Sequence, residues 1–163
     1  MTEKSREIFA DGAKLREKLG IYLQTPEKVE IYARAAEKMF AKTGGTSIGY
    51  VNTWSWWGFC GGAFIFLYRK LYLIFALLFA FMIIPEFIPA IPPALVDQAI
   101  PMVYFLVSAM QAKFQVIKDF EKKLDLDNDL ALATGVNKWA ILCYIAWIVV
   151  LCVWIAYEAA MDY

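Results

Sequence analysis

Residues 54–68 read Trp-Ser-Trp-Trp-Gly-Phe-Cys-Gly-Gly-Ala-Phe-Ile-Phe-Leu-Tyr and are closed by Arg69-Lys70. Whether this stretch crosses a bilayer decides the fold. As a single helix it would be roughly 22 Å long, short for a hydrocarbon core of about 30 Å. Three more apolar stretches follow, at 71–88, 92–112 and 138–157. If 54–68 stays on its own side and the next three cross, all 16 Lys/Arg fall on one side of the membrane. Nine of them precede Trp54, Arg69 and Lys70 follow the stretch, and Lys113, Lys118, Lys122, Lys123 and Lys138 fill the last connection. The other side holds Glu86, Asp97, Glu158 and Asp162 and no basic residue. That asymmetry is what the positive-inside rule demands. A crossing at 54–68 would put the first nine cations and Arg69-Lys70 on opposite sides. The sequence therefore predicts an all-α integral membrane protein with three transmembrane helices, an interfacial or re-entrant helix and a short helical cytoplasmic N-terminal segment.

Working outward, the expected order is a cytoplasmic helical segment at 1–53, the interfacial or re-entrant helix at 54–68, and a first span at 71–88. A second span at 92–112 leads to a cytoplasmic amphipathic connection at 113–137, a third span at 138–157 and an outer tail at 158–163. Trp54, Trp56, Trp57, Trp139 and Trp154 are placed as interfacial anchors. Gly58 and Gly62 form a GxxxG, which permits close helix packing. Pro101 should kink or break the second span. In 1–53, Thr25, Pro26 and Glu27 open a helix that Gly44-Gly45 stops. A weaker helix over about 3–19 is interrupted by Gly12. Their apolar stripes, Ile8, Leu15 and Leu19 on one and Val29, Tyr32, Ala33, Ala36, Met39 and Phe40 on the other, are too small to enclose a core alone and need a cover. Phe114, Ile117, Phe120 and Leu124 form a further stripe on 113–124, a segment expected to continue the second span or to lie along the headgroups.

Composition narrows the function. Hydrophobic residues reach 61% and charged ones 20%, so the two are segregated along the chain. Sixteen basic residues against 16 acidic leave no net field for a nucleic-acid backbone. There is no histidine, no paired carboxylate within a span and no phosphate-cradling glycine loop, so no enzymatic constellation and no cofactor are expected. Cys60, Cys143 and Cys152 have neither CxxC nor metal-ligand spacing and read as packing residues. Asp125-x-Asp127-x-Asp129 starts like a calcium loop but meets Leu130 and Val136 where Gly and a carboxylate belong. The charged N-terminus has no apolar run of signal-peptide length, so the first inserting segment is expected to serve as its own signal.

Trp56-Trp57-Gly58-Phe59, Gly62-x-Phe64 and Leu67-Tyr68-Arg69-Lys70-x-Tyr72 together resemble the bacterial membrane proteins grouped as domain of unknown function 2628. The match is good over 56–72 and loose over 30–124, with Ser55, Ala63, Ile65 and Leu71 departing from the family's usual residues. The resemblance implies a bacterial inner-membrane placement and the unity of the Trp-to-Arg-Lys segment, and it brings no assigned activity; the charge asymmetry puts the N-terminus in the cytoplasm and the C-terminus in the periplasm.

Three functions remain open. The first is a non-enzymatic accessory or scaffolding subunit, with a protein partner or self-association. The second is an oligomeric channel or transporter lined by Tyr104, Ser108 and Gln111, which fall on one helix face. The third is anionic-lipid binding or membrane shaping, with Tyr68, Arg69, Lys70 and Tyr72 on lipid headgroups or a partner.

Overall fold

Thr2 and Asp11 set the beginning of the chain. In the computed structural model, which describes residues 1–126 and 135–161, the Thr2 hydroxyl accepts the Ser5 N–H and opens α1, Glu3–Ala10. Asp11 accepts the N–H groups of Ala13 and Lys14 and opens α2, Gly12–Leu23. The single helix expected over 3–19 is thus two helices. The break is an N-cap at Asp11, a residue that favours such a start, and not a flexible point at Gly12. α3, Pro26–Lys42, has Pro26 in its first turn and ends at Gly44 and Gly45, both at positive φ.

The expected stripes do find a cover. Leu15, Leu19, Tyr22 and Leu23 from α2 and Tyr32, Ala36 and Met39 from α3 pack with Val116, Ile117, Phe120 and Leu124. The last four belong to α7, Ile100–Leu124, a single helix of 25 residues. Segment 113–124 therefore continues the apolar helix before it and serves as the fourth wall of the N-terminal bundle. Phe9 sits between Phe40 and Phe120, with ring centroids 5.8 and 5.7 Å away. Burying so many aromatic and aliphatic side chains, each worth about 1.5–3 kcal/mol, is what holds α1–α3 to α7. The exposed ion pairs of Arg16 with Glu30 and Glu37 contribute little by comparison.

Tyr22 donates its hydroxyl to Asp119 at 2.8 Å. Burial, reinforced by that carboxylate, pushes the Tyr22 phenol well above its ordinary pKa, and burial raises Tyr32 as well. Groups whose pKa is raised by folding stabilise fully below the unfolded value, about 10 for tyrosine, and lose that contribution as pH rises beyond it. The melting temperature of the bundle should hold steady up to about pH 9.5 and fall through pH 10–11. Tyr22→Phe should flatten that fall, as followed by circular dichroism.

Outside the bundle the chain turns apolar. α4, Trp56–Gly61, and α5, Phe64–Tyr68, replace the one helix expected over 54–68. α6, Tyr72–Ile83, is followed by a 3-10 turn, Ile84–Phe87, where Pro85 interrupts the α-helical register. Ahead of Pro101, Leu95–Ala99 widens to a π-turn in which the Ile100 N–H reaches back to Leu95 O. That is the local cost of proline, taken up without a break. α8, Trp139–Met161, closes the described chain. All regular structure among the described residues is helical.

By length and composition, one helix, Leu95–Leu124, is long and apolar enough to cross a membrane; the apolar runs Tyr72–Phe87 and Trp139–Trp154 are shorter. The count of three spans is therefore not carried by helix length. The part of that helix committed to the bundle, from Phe114 to Leu124, lies beyond the second expected span at 92–112, in the segment expected as the amphipathic connection.

Candidate functional site

The most unusual packing in the molecule is the hairpin formed by α4 and α5. Val51 before it and Leu71 after it both pack on the N-terminal core, so the chain leaves the bundle and comes back to it. On the way out, α4 runs along α7. The Ser55 N–H donates to Ala109 O at 3.1 Å, and Gly58 lies so close that a Cβ on it would stand 2.6 Å from Ser108 O and 3.0 Å from Ala109 Cα. At the tip, Gly62 has φ +51° and ψ −135°, the conformation of the first central residue of a type II′ turn, where glycine belongs. The Tyr104 hydroxyl accepts the Ala63 N–H at 2.7 Å. On the way back, the Phe64 ring touches Phe75 of α6 and both Tyr144 and Trp147 of α8. The Tyr144 hydroxyl donates to Cys60 O at 2.6 Å. The hairpin is the wedge around which α6, α7 and α8 are arranged.

Gly58 and Gly62 thus do the close packing expected of them, within the chain and against α7. Tyr104 and Ser108 do not line an open path: both are buried against the hairpin. The reason is steric, since the two glycines leave the room those side chains occupy. Gln111, on the same face, is half-buried and its side-chain oxygen takes the amide of Gln115 at 3.4 Å. The Ser108 hydroxyl and the Thr53 hydroxyl make no hydrogen bond among the described residues.

Of the four residues expected to face headgroups, the structure separates one from the rest. Arg69 is only 5% exposed. Its guanidinium lies between the rings of Tyr32 and Tyr68, 5.4 Å from each centroid. It donates to Leu23 O at 3.2 Å and, more weakly, to the Thr25 hydroxyl at 3.4 Å. Arg69 is turned inward because the end of α2 offers it the Leu23 carbonyl, which otherwise takes only the Thr25 hydroxyl at 3.4 Å, and two tyrosines offer it π-faces. Thr25, expected as the side-chain cap of α3, makes no cap bond there. Tyr68 is half-buried and its carbonyl accepts the Asn137 N–H at 2.8 Å. Lys70 and Tyr72 are exposed, Lys70 with a left-handed φ of +61°. The composition of the Tyr32–Arg69–Tyr68 stack escaped the sequence reading, although Tyr32 stood in the apolar stripe of α3.

Trp56, Trp57, Trp139 and Trp154 are each at least 60% exposed, and Trp54 39%. Lys28 of α3 lies over the Trp57 ring at 5.9 Å. Cys60, Cys143 and Cys152 are exposed free thiols rather than packing residues. Asp127 and Asp129 of the acidic run lie outside the described residues; Asp125 accepts the N–H and hydroxyl of Thr2. No family model, no curated protein and no solved structure matches this chain.

Proposed function

We propose that this chain is a multi-pass membrane protein acting as a non-enzymatic accessory or scaffolding subunit, its helical bundle held at the cytoplasmic face. One observation carries the reading. Leu73, Leu77 and Phe81 on α6, Met102, Val103 and Val107 on the first half of α7, and Ile141, Leu142, Ile145, Val149, Val150 and Val153 on α8 are all exposed, while the bundle exposes few large apolar side chains. An apolar surface on that scale needs lipid or protein to cover it. The exposed tryptophans suit the interface between the two environments. α8 runs for 23 residues, about 34 Å, of which the apolar run Trp139–Trp154 covers about 24 Å. α6 with its 3-10 extension is nearer 26 Å, which a locally thinned bilayer can accommodate. On this reading 54–68 is re-entrant, dipping into the bilayer and leaving by the side it entered. α7 then joins the membrane part and the bundle as one rod, which is a suitable frame for presenting a domain to another protein.

Two measurements test it. With the native cysteines replaced by serine, a cysteine at position 14 should be labelled only from the cytoplasm and one at position 87 only from outside. Labelling of both from one side would overturn the topology. Native mass spectrometry after mild-detergent extraction should then find a second protein, or further copies of the chain, at fixed stoichiometry. A bare monomer would overturn the scaffolding role.

A further inference from the structure

Ile31, 46% exposed, is the one large apolar side chain of α1–α3 that stands open among the described residues. It has cations for neighbours. Lys38 follows it by seven residues and Lys42 by eleven, which puts all three on one face of α3, and both lysines are exposed. The acids of α3 beyond its first turn, Glu30 and Glu37, are turned the other way, to Arg16 of α2.

Contacts with the base of the apolar layer are spread along the whole of α3. At its start Lys28 lies over the Trp57 ring of α4, and one turn on Tyr32 meets Arg69 at the hairpin exit. At its end Lys42 donates to Tyr50 O at 2.6 Å, and the Tyr50 ring meets Phe114 of α7 at 5.3 Å. Between these, Lys113, next after the Ala112 that packs on Gly58, comes near Lys38. Burial and the like charge of Lys38 lower the Lys113 pKa. Neither ammonium has an ion pair among the described residues. α3 therefore runs along the boundary between the bundle and the exposed apolar surface, where Trp56 and Trp57 also stand exposed.

A helix at that boundary, with lysines and one apolar side chain on its open face, fits a surface of anionic headgroups. We infer that α3 lies flat on the anionic inner leaflet, with Ile31 among the headgroups and Lys38, Lys42 and Lys113 on lipid phosphates. A phosphate between Lys38 and Lys113 relieves a repulsion that no acid relieves among the described residues. The inference rests on the membrane placement proposed above. It adds that the bundle is docked on the bilayer, not merely suspended from α7.

The test uses the full chain in lipid nanodiscs, its native cysteines replaced by serine and a nitroxide attached at Ile31→Cys. Power saturation reads how freely oxygen and a neutral nickel chelate reach the label. In discs of mixed phosphatidylglycerol and phosphatidylcholine, the chelate should be held off position 31 and admitted at Lys14→Cys on α2. In phosphatidylcholine alone, or at about 1 M salt, where screening acts within about 3 Å, position 31 should open to the chelate. Lys38→Gln with Lys42→Gln should lower the ratio of docked to undocked label roughly 30-fold. Arg6→Gln with Lys14→Gln removes the same charge from α1 and α2 and should leave the ratio unchanged. Free access at position 31 in every disc, protection independent of phosphatidylglycerol or salt, unchanged docking in the α3 variant or equal loss in the control would each overturn the inference. The salt dependence of the unsubstituted lysines supplies the answer should the α3 variant fail to fold. A label at Leu77→Cys reports the membrane placement separately. Chelate access there would sink the placement, whereas protection at 77 with free access at 31 would sink the docking alone.

Discussion

Gly62→Ala is expected to cost about 3 kcal/mol or more, whereas Gly61→Ala, one residue earlier, should be close to neutral. The two glycines look alike in the sequence and differ in every physical respect that matters. At Gly62 the backbone holds φ +51° and ψ −135°, a region that side chains other than glycine enter at about 1–3 kcal/mol. A Cβ there would also stand 2.6 Å from Tyr104 Cε1 and 2.7 Å from its hydroxyl oxygen. Tyr104 is 2% exposed and has little room to retreat, so overpacking adds about 1–3 kcal/mol. Moving the ring would also release the hydroxyl from the Ala63 N–H, leaving a buried donor without its partner. At Gly61 a Cβ meets nothing within 4 Å, and alanine favours the helix it would join. Thermal unfolding of the three proteins in one detergent measures the difference. Equal stability of the two variants would mean that the hairpin does not turn on Gly62 against Tyr104.

That contrast shows where sequence reading works and where it stops. The segregation of charge was legible, because lysines and arginines are counted without knowing any contact, and it separated the bundle from the apolar layer. The start of α3 at Pro26 and its stop at Gly44-Gly45 were legible for the same reason: such signals are local. The GxxxG at Gly58 and Gly62 was legible as close packing, but not the partner it packs on. That partner is α7, some 45 residues later, and only its opposing small residues Ser108, Ala109 and Ala112 allow the approach. The stripes of α2 and α3 and the stripe of Ile117, Phe120 and Leu124 were each visible as half of an interface. Nothing in periodicity says that two halves about 100 residues apart complete one core. Three spans were expected because that count puts every lysine and arginine on one side, an argument blind to helix length, and Pro85 ends α6 at Ile83. Ser108 and Tyr104 on one face suggested a lining because a polar stripe reads the same whether water or another helix covers it.

Arg69→Ala is expected to separate the two layers, and the effect should be on stability rather than on lipid. The guanidinium joins three parts of the chain: the Leu23 carbonyl at the end of α2, the Tyr32 ring of α3 and the Tyr68 ring at the exit of the hairpin. Removing it takes from the Leu23 carbonyl a charge-assisted hydrogen bond worth about 1.5–3 kcal/mol, leaving only the Thr25 hydroxyl at 3.4 Å, takes away two cation–π contacts of about 0.5–2 kcal/mol each and leaves a void between two tyrosines. The sum is not additive, and about 3 kcal/mol is expected. Lysine should rescue little, since a flexible ammonium cannot lie between two rings and reach two acceptors as a planar fork does. Backbone amide exchange should locate the damage. Faster exchange is expected in the α2–α3 turn and at 67–71, while α4, held by Gly58 on α7, should keep its protection. A cation at headgroup depth would behave in the opposite way, with melting and exchange unchanged and bound anionic lipid reduced. That outcome would place Arg69 outside the bundle and return it to the lipid surface. The expected one makes it the bolt between the N-terminal bundle and the hairpin, so that any force on one is felt by the other.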